Sequence, residues 1–520
     1  MHAFIKLTLT LLVGCNLAGA ADRPNILIMM SDDQSFPHAS AYGSKMVSTP
    51  NFDRIARDGI LFNNAFCAAP GCSPSRAAFL TGRNIWQIEH AGTHASSFGK
   101  EYRTFMDLLA EDGYATGYTG KGWAPGNFKA GGRTQNPAGP SFGARKGDFS
   151  AGFKTFLDQR PADRPFCFWF GSYDPHRSYE KGSGLKSGKT LAQAEVPGFL
   201  PDTPEIRGDL LDYALEVERF DQDCGKMLAL LEATGELDNT LIIVTSDNGM
   251  PFPYAKANCN EFGIHMPLAI SWKLGIPAGR KLDDLVSFID LTATIHELTG
   301  IEAPEAFPLA GRSLLETLRS SKSGLVDATR DAVFAGRERH SSSRFNTLGY
   351  PQRCIRTASH LLIHNLKPER WPAGPSRKLT GKPGSPLGPP DGGFHDIDAC
   401  PSLSFLIENQ NDPDIGKFFH LAVDLRPEIE FYDIAQDPAC LDDLSGQPGL
   451  LADIRQKLEA RLEAHLRATG DPRVIGDGDV FETYPRYSGI RWFPEPDWAK
   501  EKPEAIPQQP WLEAILNRGK

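Results

Sequence analysis

The stretch Asn25-Ile26-Leu27-Ile28-Met29-Met30 runs almost wholly apolar and stops at Ser31-Asp32-Asp33. A strand with one wet face alternates apolar and polar residues, whereas a strand buried on both faces does not. The run therefore predicts a buried strand that ends in a polar loop. Three further segments read as strands that lead into polar loops, two of them, Pro165 to Gly171 and Thr240 to Thr245, largely apolar. Tyr114 to Thr119 leads into Gly120-Lys121, Pro165 to Gly171 into Ser172-Tyr173-Asp174-Pro175-His176, and Thr240 to Thr245 into Ser246-Asp247-Asn248-Gly249. Helical periodicity fills Thr104 to Glu111 and Arg207 to Leu231 between them. Strands alternating with helices predict an α/β fold, a large and mostly parallel sheet sandwiched by helices. Acids, a histidine and a lysine gather just past the strands' C-terminal ends, where open α/β sheets build their sites.

After about Ala332 the pattern changes. Cys354 to Leu366 and Glu428 to Ile434 read as strands, and Leu450 to Leu466 as a helix. Residues 21–331 are thus expected to form the main α/β domain, and 332–520 a smaller C-terminal α+β subdomain. Within the latter, 367–393 is rich in Pro and Gly and reads as an extended loop. Ahead of the first strand, Lys6, the apolar Leu7 to Val13 and the small residues Ala18-Gly19-Ala20 make residues 1–20 a signal peptide. Leu12-Val13-Gly14-Cys15 also fits a lipobox, so both simple export and a lipid anchor at Cys15 stay open. Either route places the protein in the periplasm or outside the cell. The apolar run is too short to span a bilayer, and no later segment is apolar enough for a transmembrane helix.

Composition narrows the function classes. The 520 residues are 40% hydrophobic and 23% charged, with a formal net charge of −10. Such a chain has no broad positive field with which to gather a polyanion, which argues against nucleic-acid binding and a polybasic membrane surface. An anionic substrate must be held by a few focused cations. Of nine cysteines, setting aside Cys15 in the signal and Cys72 leaves seven, an odd number whose pairing is not readable. No CxxC pair or Cys/His cluster suggests zinc or iron–sulfur binding.

Cys72-Ser73-Pro74-Ser75-Arg76, followed by Ala77-Ala78-Phe79-Leu80-Thr81-Gly82-Arg83, resembles the signature of the formylglycine-dependent sulfatases of the alkaline-phosphatase superfamily. Thr49-Pro50-Asn51-Phe52-Asp53-Arg54-Ile55-Ala56 and Phe431-Tyr432-Asp433 with Asp437-Pro438 are similar to that family too. Asp174-Pro175-His176-Arg177, the stretch from Asp247 to Pro253, and Cys354-Ile355-Arg356-Thr357 resemble its heparan N-sulfatase (sulfamidase) branch.

The resemblance implies an alkaline-phosphatase-like sheet and an enzyme, a sulfuric ester hydrolase or sulfamidase. Its partner would be a sulfated saccharide such as N-sulfoglucosamine. It also implies that a separate formylglycine-generating enzyme oxidises Cys72 to 3-oxoalanine (formylglycine), with Arg76 holding the oxygens of the hydrate. The chemistry explains the need: a plain Ser would be left as a stable sulfate ester, whereas a geminal diol keeps a second hydroxyl that can expel sulfate.

Asp32, Asp33, Asp247 and Asn248 offer only hard oxygen donors, a set that suits Ca²⁺ or Mg²⁺. By resemblance, these four and residue 72 coordinate Ca²⁺. Lys121 matches the family's sulfate-binding lysine, and His176 the histidine that contacts sulfate and protonates the departing atom. Lys256 matches the basic residue after the second metal pair. Further substrate contacts are expected among His38, His265 and the cluster Glu338-Arg339-His340.

One position departs from the family. Many sulfatases carry Gly-Lys-x-His, and here the stretch is Gly120-Lys121-Gly122-Trp123. The base of the second half-reaction then falls to His90, His94 or a metal-ligand Asp, and Trp123 is either an aromatic wall for a sugar ring or a core residue. Two other classes fit the residues less well. A phosphoester hydrolase of the same superfamily usually has a Ser or Thr nucleophile and His-ligated zinc, against which Cys72 and the oxygen-only set stand. An exported glycan-binding protein with a dead site would not need Cys72, Arg76, Lys121 and His176 together, although Trp123 speaks for it.

Overall fold

The computed structural model describes residues 23–143 and 147–517. Residues 1–20, read as the signal peptide with Cys15 in its lipobox, lie outside the described residues. The large sheet is built from β1 (Asn25–Ser31), β2 (Ile60–Phe66), β3 (Ala115–Gly120), β4 (Phe166–Gly171), β5 (Thr240–Ser246), β6 (His265–Ser271), β7 (Arg280–Leu282) and β8 (Val286–Ser287). Its spatial order is β3-β4-β1-β5-β6-β2-β7, with β8 also on β2. β3, β4, β1 and β5 run parallel. β6 is antiparallel to both of its neighbours. The sheet is therefore mixed, though mostly parallel. Between β5 and β6 the chain forms only the one-turn helix Glu261–Ile264, too little for the crossover that a parallel return requires.

Side chains of β1 alternate between two cores. Ile26, Ile28 and Met30 join Trp169 and Ile243 on one face. Leu27 and Met29 join Phe168, Phe170 and Val244 on the other. The helix Cys72–Thr81 covers the first face, where Phe79 packs 5.5 Å from Trp169 and 5.8 Å from Phe288 of the helix Phe288–Thr299. The helices Pro204–Ala233 and Phe149–Gln159 cover the second through Phe220 and Phe153. Burial of each such side chain contributes about 1.5–3 kcal/mol. This is why the central strands carry no alternation.

A separate four-stranded antiparallel sheet follows, with β9 (Ala332–Arg337), β10 (Gln352–Thr357), β11 (His360–Asn365) and β12 (Ile429–Asp433) in the order β12-β11-β10-β9. The single strand expected from Cys354 to Leu366 is instead a hairpin turning at Ala358-Ser359. Thr357 closes that turn: its hydroxyl donates to the His360 carbonyl and accepts from the His360 N–H. The two turn residues include no Gly, Pro, Asn or Asp, so no turn signal marks the break. The helix Leu450–Ala468 lays Leu458, Leu462 and Leu466 on Ile355, Leu362 and Phe431. Residues 367–393 form no helix or strand, only a bridge between Leu379 and Leu387. All eight described cysteines are buried and unpaired. No described helix is long and apolar enough to cross a membrane.

The two sheets share one core, since Cys354, Leu361 and Ile363 belong to the same cluster as Ile26 and Met266. A buried ion triad fastens them. Arg356 on β10 donates to both oxygens of Glu261 at 2.8 and 2.9 Å, and His265 Nδ1 lies 2.9 Å from the same carboxylate. Burial pushes the Glu261 carboxyl up, but Arg356 and His265 outweigh it and hold it at about 2, below its ordinary 4.5.

Glu261→Gln leaves Arg356 buried beside a neutral amide and is expected to cost about 3–5 kcal/mol, read as a lowered urea midpoint. Because the folded carboxyl titrates below its unfolded value, its contribution is complete above about pH 4.5 and lost as pH falls toward 2. The variant should lack that part of the acid-induced loss.

Candidate active site

The parallel register sets four loops side by side. Ser31 pairs with Ser246, Met30 with Gly171, and Gly120 with Gly171, so the residues that follow each strand emerge at one edge. Backbone bonds continue the pairing beyond the strands: Lys121 N–H donates to Gly171 O at 2.7 Å, Asp32 N–H to Asp174 O at 3.0 Å, and Asp247 N–H to Ser31 O at 3.2 Å. The N-terminus of the helix Cys72–Thr81 ends at the same place.

Cys72 Sγ lies 3.4 Å from Asp32 Oδ1 and 3.8 Å from Asp33 Oδ1. Three buried carboxylates face three buried cations. Lys121 Nζ donates to Asp32 Oδ2 at 2.5 Å, Lys256 Nζ to Asp33 Oδ2 at 2.6 Å, and Arg76 Nε to Asp247 Oδ2 at 2.7 Å. Arg76 Nη1 also donates to Lys121 O at 2.7 Å. Charges survive at such depth only when paired and hydrogen-bonded. Gly171 makes the arrangement possible, since a Cβ there would lie 1.8 Å from Lys121 O and 2.9 Å from Arg76 Nη1. Asp33 and, around Lys256, Tyr254 and Ala257 adopt left-handed backbone, a local strain that the surrounding contacts sustain.

The electrostatics are uneven. Burial pushes the Asp32 carboxyl up, but the Lys121 ammonium and the other nearby cations hold it well below the carboxylate range. Burial and the charge of Asp32 push Asp247 up to about 6, against Arg76. Burial and Asp32 also raise the Cys72 thiol well above its ordinary value, against Lys121 and Lys256. A free thiolate is therefore disfavoured at residue 72.

Carboxylate oxygens of Asp32, Asp33 and Asp247 and the Cys72 sulfur all lie within 4.8 Å of one another. Asn248 Nδ2 donates to Asp33 Oδ1 at 2.7 Å, while its Oδ1 is buried with no donor. Arg76 Nη2 is likewise buried with no acceptor. An unmatched amide oxygen beside three carboxylates fits a hard divalent cation, and an unmatched guanidinium N–H fits an additional oxygen at residue 72.

His176 stands at the rim, its side chain 37% exposed and its Nε2 3.9 Å from Asp33 Oδ2. Its Nδ1 is 2.6 Å from the Arg177 carbonyl, which can only accept, so Nδ1 carries the hydrogen and Nε2 faces the cluster. Beside it opens a cleft of about 600 Å³ lined by Tyr173, Asp174, Arg219 and Lys226 among others.

Other sequence candidates are placed differently. His265 is stacked on Phe36 at 4.0 Å, and its ring nitrogens lie 2.9 Å from Glu261 and from the Asn63 carbonyl. Both nitrogens are thus occupied, which removes it from the substrate contacts. Glu338 is buried in ion pairs with Arg353 and Arg473, and Arg339 donates to Tyr484 O, so both are internal braces. His38 is buried against the Tyr213 hydroxyl at 3.1 Å, and burial lowers it to about 4. His340 differs: its Nδ1 lies 3.5 Å from Asp396 Oδ1, its Nε2 has no hydrogen bond, and the ring packs 4.6 Å from that of His94 and against Gly71.

Trp123 is 1% exposed, packs edge-on to Phe98 at 5.3 Å, and donates from its indole N–H to Ser73 O at 3.0 Å. It is a core residue that braces the turn after Cys72, not a wall open to a sugar. His90 stacks on Tyr484 at 4.0 Å. His94 is buried, and Lys256 and Lys121 are among the charges that lower it. Sequence reasoning missed Asp398, whose Oδ2 accepts from Lys256 Nζ at 2.9 Å. It lies in an Asp-Ile-Asp turn 142 residues from that lysine, with no motif to mark it.

Comparison with known proteins bears on this geometry. A family model described as Sulfatase matches residues 24–301. N-sulphoglucosamine sulphohydrolase from Homo sapiens is 31% identical over 388 residues, spanning 66% of this chain and 73% of its own length. Ulvan-active sulfatase from Formosa agariphila is 26% identical over 467 residues, spanning 87% of this chain and 81% of its own. A solved structure in complex with its substrate, D-glucosamine-2-N,6-O-disulfate, superposes with a TM-score of 0.61 at 20% identity, covering 87% of this chain and 99% of that one, which speaks to the fold.

Unmodified Cys72 should resist alkylation. At pH 8 in the folded protein, iodoacetamide is expected to label it about 100-fold more slowly than after unfolding, measured on the Cys72 peptide by mass spectrometry.

Proposed function

The chain belongs to the sulfatase family and is a sulfuric ester hydrolase, and from that premise we propose that it removes sulfate, held as ester or sulfamate, from a sulfated carbohydrate with a formylglycine made from Cys72 and a Ca²⁺ ion. The observation that carries this is the oxygen set of Asp32, Asp33, Asp247 and Asn248 gathered around Cys72 Sγ and enclosed by Arg76, Lys121 and Lys256. N-sulfoglucosamine is the first saccharide to test, since the human relative is named for it.

When present, Ca²⁺ draws developing negative charge toward itself, and the hydrated formylglycine supplies a nucleophile with a second hydroxyl for releasing sulfate. The remaining work falls to this chain's side chains. Asp32, Asp33, Asp247 and Asn248 would hold the cation together with residue 72. Arg76, with Nη2 unmatched, would orient the oxygens of residue 72. Lys121 and Lys256 approach the cluster through different carboxylates and would take sulfate oxygens between them once a cation holds those carboxylates. His176, with Nδ1 tied to Arg177 O, would as the imidazolium give its Nε2 proton to the leaving oxygen or nitrogen.

For the closing proton transfer, His94 is favoured over His90, because Lys256 and Lys121 are among the charges that act on it, whereas the His90 ring is stacked on Tyr484. His340, beside it, remains a candidate to contact the substrate. Maturation requires a formylglycine-generating enzyme. The proposal includes export through residues 1–20 and a functional division near residue 331, with the C-terminal part closing the site.

The peptide spanning Cys72, from a host that modifies a control sulfatase, is expected to weigh about 18 Da less than its thiol form, with sulfate released from N-sulfoglucosamine or an O-sulfated sugar. An intact thiol accompanied by full turnover would sink the proposal. Chelation should abolish turnover, and Ca²⁺ at about 100 times its Kd should raise stability by about 2.7 kcal/mol, seen as a higher Tm. His176→Ala should lower kcat by about 10²–10⁴-fold on a saccharide substrate.

A further inference from the structure

Asp398 is the one acidic group of the cluster that reaches the surface. Its side chain is 29% exposed, against 4% for Lys256, to which it is paired. A carboxylate oxygen of Asp398, a ring nitrogen of His176 and an oxygen of Asp33 all lie within 4.8 Å of one another. Asp398 thus stands beside the His176 ring, on the outer side of the cluster. Only its Oδ2 is engaged, by Lys256, and its Oδ1 has no hydrogen bond among the described residues.

The position is held firmly. Two residues earlier, buried Asp396 accepts from Arg337 and Arg344 at 2.6 and 2.7 Å and from Ser341 N–H at 2.8 Å. Four residues later, the Ser402 hydroxyl donates to Asp209 at 2.6 Å. Asp209 also takes a two-pronged ion pair from Arg177, the neighbour of His176. The turn carrying Asp398 and the loop carrying His176 are therefore tied to the same carboxylate. An ionised carboxylate accepts hydrogen bonds and donates none. A rigid one, lodged beside the leaving-group acid with one oxygen open, is suited to a donor on the leaving group itself.

Resting on the sulfatase assignment above, we propose that Asp398 is a specificity residue that accepts a hydrogen bond from a hydroxyl or amine on the sugar next to the sulfated atom. It would thereby select sulfated saccharides over sulfated groups that lack such a donor. Sulfate contacts are common to every substrate, so the effect must depend on the leaving group.

The test uses the matured, Ca²⁺-loaded enzyme and its Asp398→Asn and Asp398→Ala variants. Each is assayed on a panel of N- and O-sulfated monosaccharides and on 4-nitrophenyl sulfate, whose ring has no donor beside the ester oxygen. The ratio of saccharide to aryl kcat/KM is expected to fall by about 10–100-fold in both variants, the worth of one hydrogen bond to a charged group. Asn keeps the shape and an acceptor oxygen, so its fall should be the smaller. A parallel fall on both substrate types would mean that Asp398 acts only through Lys256 and would overturn the inference. So would no fall at all, or wild-type activity confined to the aryl sulfate. Wild-type enzyme inactive on every sulfate would instead count against the sulfatase proposal itself.

Discussion

Three carboxylates, Asp32, Asp33 and Asp247, are buried where four strand ends meet, and each is bound to its own cation. An unpaired charge at this depth would cost several kcal/mol, so each carboxylate commits a lysine or arginine to a fixed place. Much of the architecture serves that requirement. Parallel pairing of β1 with β4 and β5 delivers the three loops to one edge. Gly171 leaves the gap through which Arg76 reaches the Lys121 carbonyl. Trp123, bonded to Ser73 O, fixes the start of the helix that bears Cys72 and Arg76.

The same cluster explains why a cysteine here is a poor nucleophile as it stands. Burial and the adjacent carboxylates favour the neutral thiol, and neutral thiols attack weakly. An environment dense with oxygen donors and cations suits an oxygen nucleophile and an anionic substrate instead. Asp247, raised to about 6 by burial and by Asp32, is the carboxyl with most to gain from a divalent cation.

The C-terminal sheet is part of this arrangement. Arg356 on β10 locks onto Glu261, just ahead of β6, and the Asp396 hub holds the 337–344 and 396–400 stretches together. Through that hub, Asp398 reaches Lys256 and the rim by His176. The buried charge cluster thus comes from the parallel sheet and its loops, while the rim draws on the second sheet's connections.

Continuous apolar runs such as Ile26 to Met30 declared buried strands because no half-exposed strand can carry them, and this made the parallel core and its polar strand ends legible. Cys72 to Arg76 and the Asp32-Asp33 and Asp247-Asn248 pairs were readable because their chemistry is local and their spacing from strand ends is short. The hairpin at Ala358-Ser359 was hidden, since a two-residue turn without Gly, Pro, Asn or Asp leaves little trace. Trp123, His265 and Glu338 could not be judged from sequence. Each could have faced a substrate or the interior, and only three-dimensional packing shows Trp123 in the core and the other two consumed by Glu261 and by Arg353 with Arg473. Asp398 was invisible for the same reason. The sequence by itself determined the buried strands and the candidate cluster at their ends, because those depend on neighbours along the chain. The tertiary structure alone decided which charges pair and which face the rim, because burial and pairing depend on which elements pack together, as with Lys121 and Asp32, 89 positions apart, or Lys256 and Asp398, 142 apart.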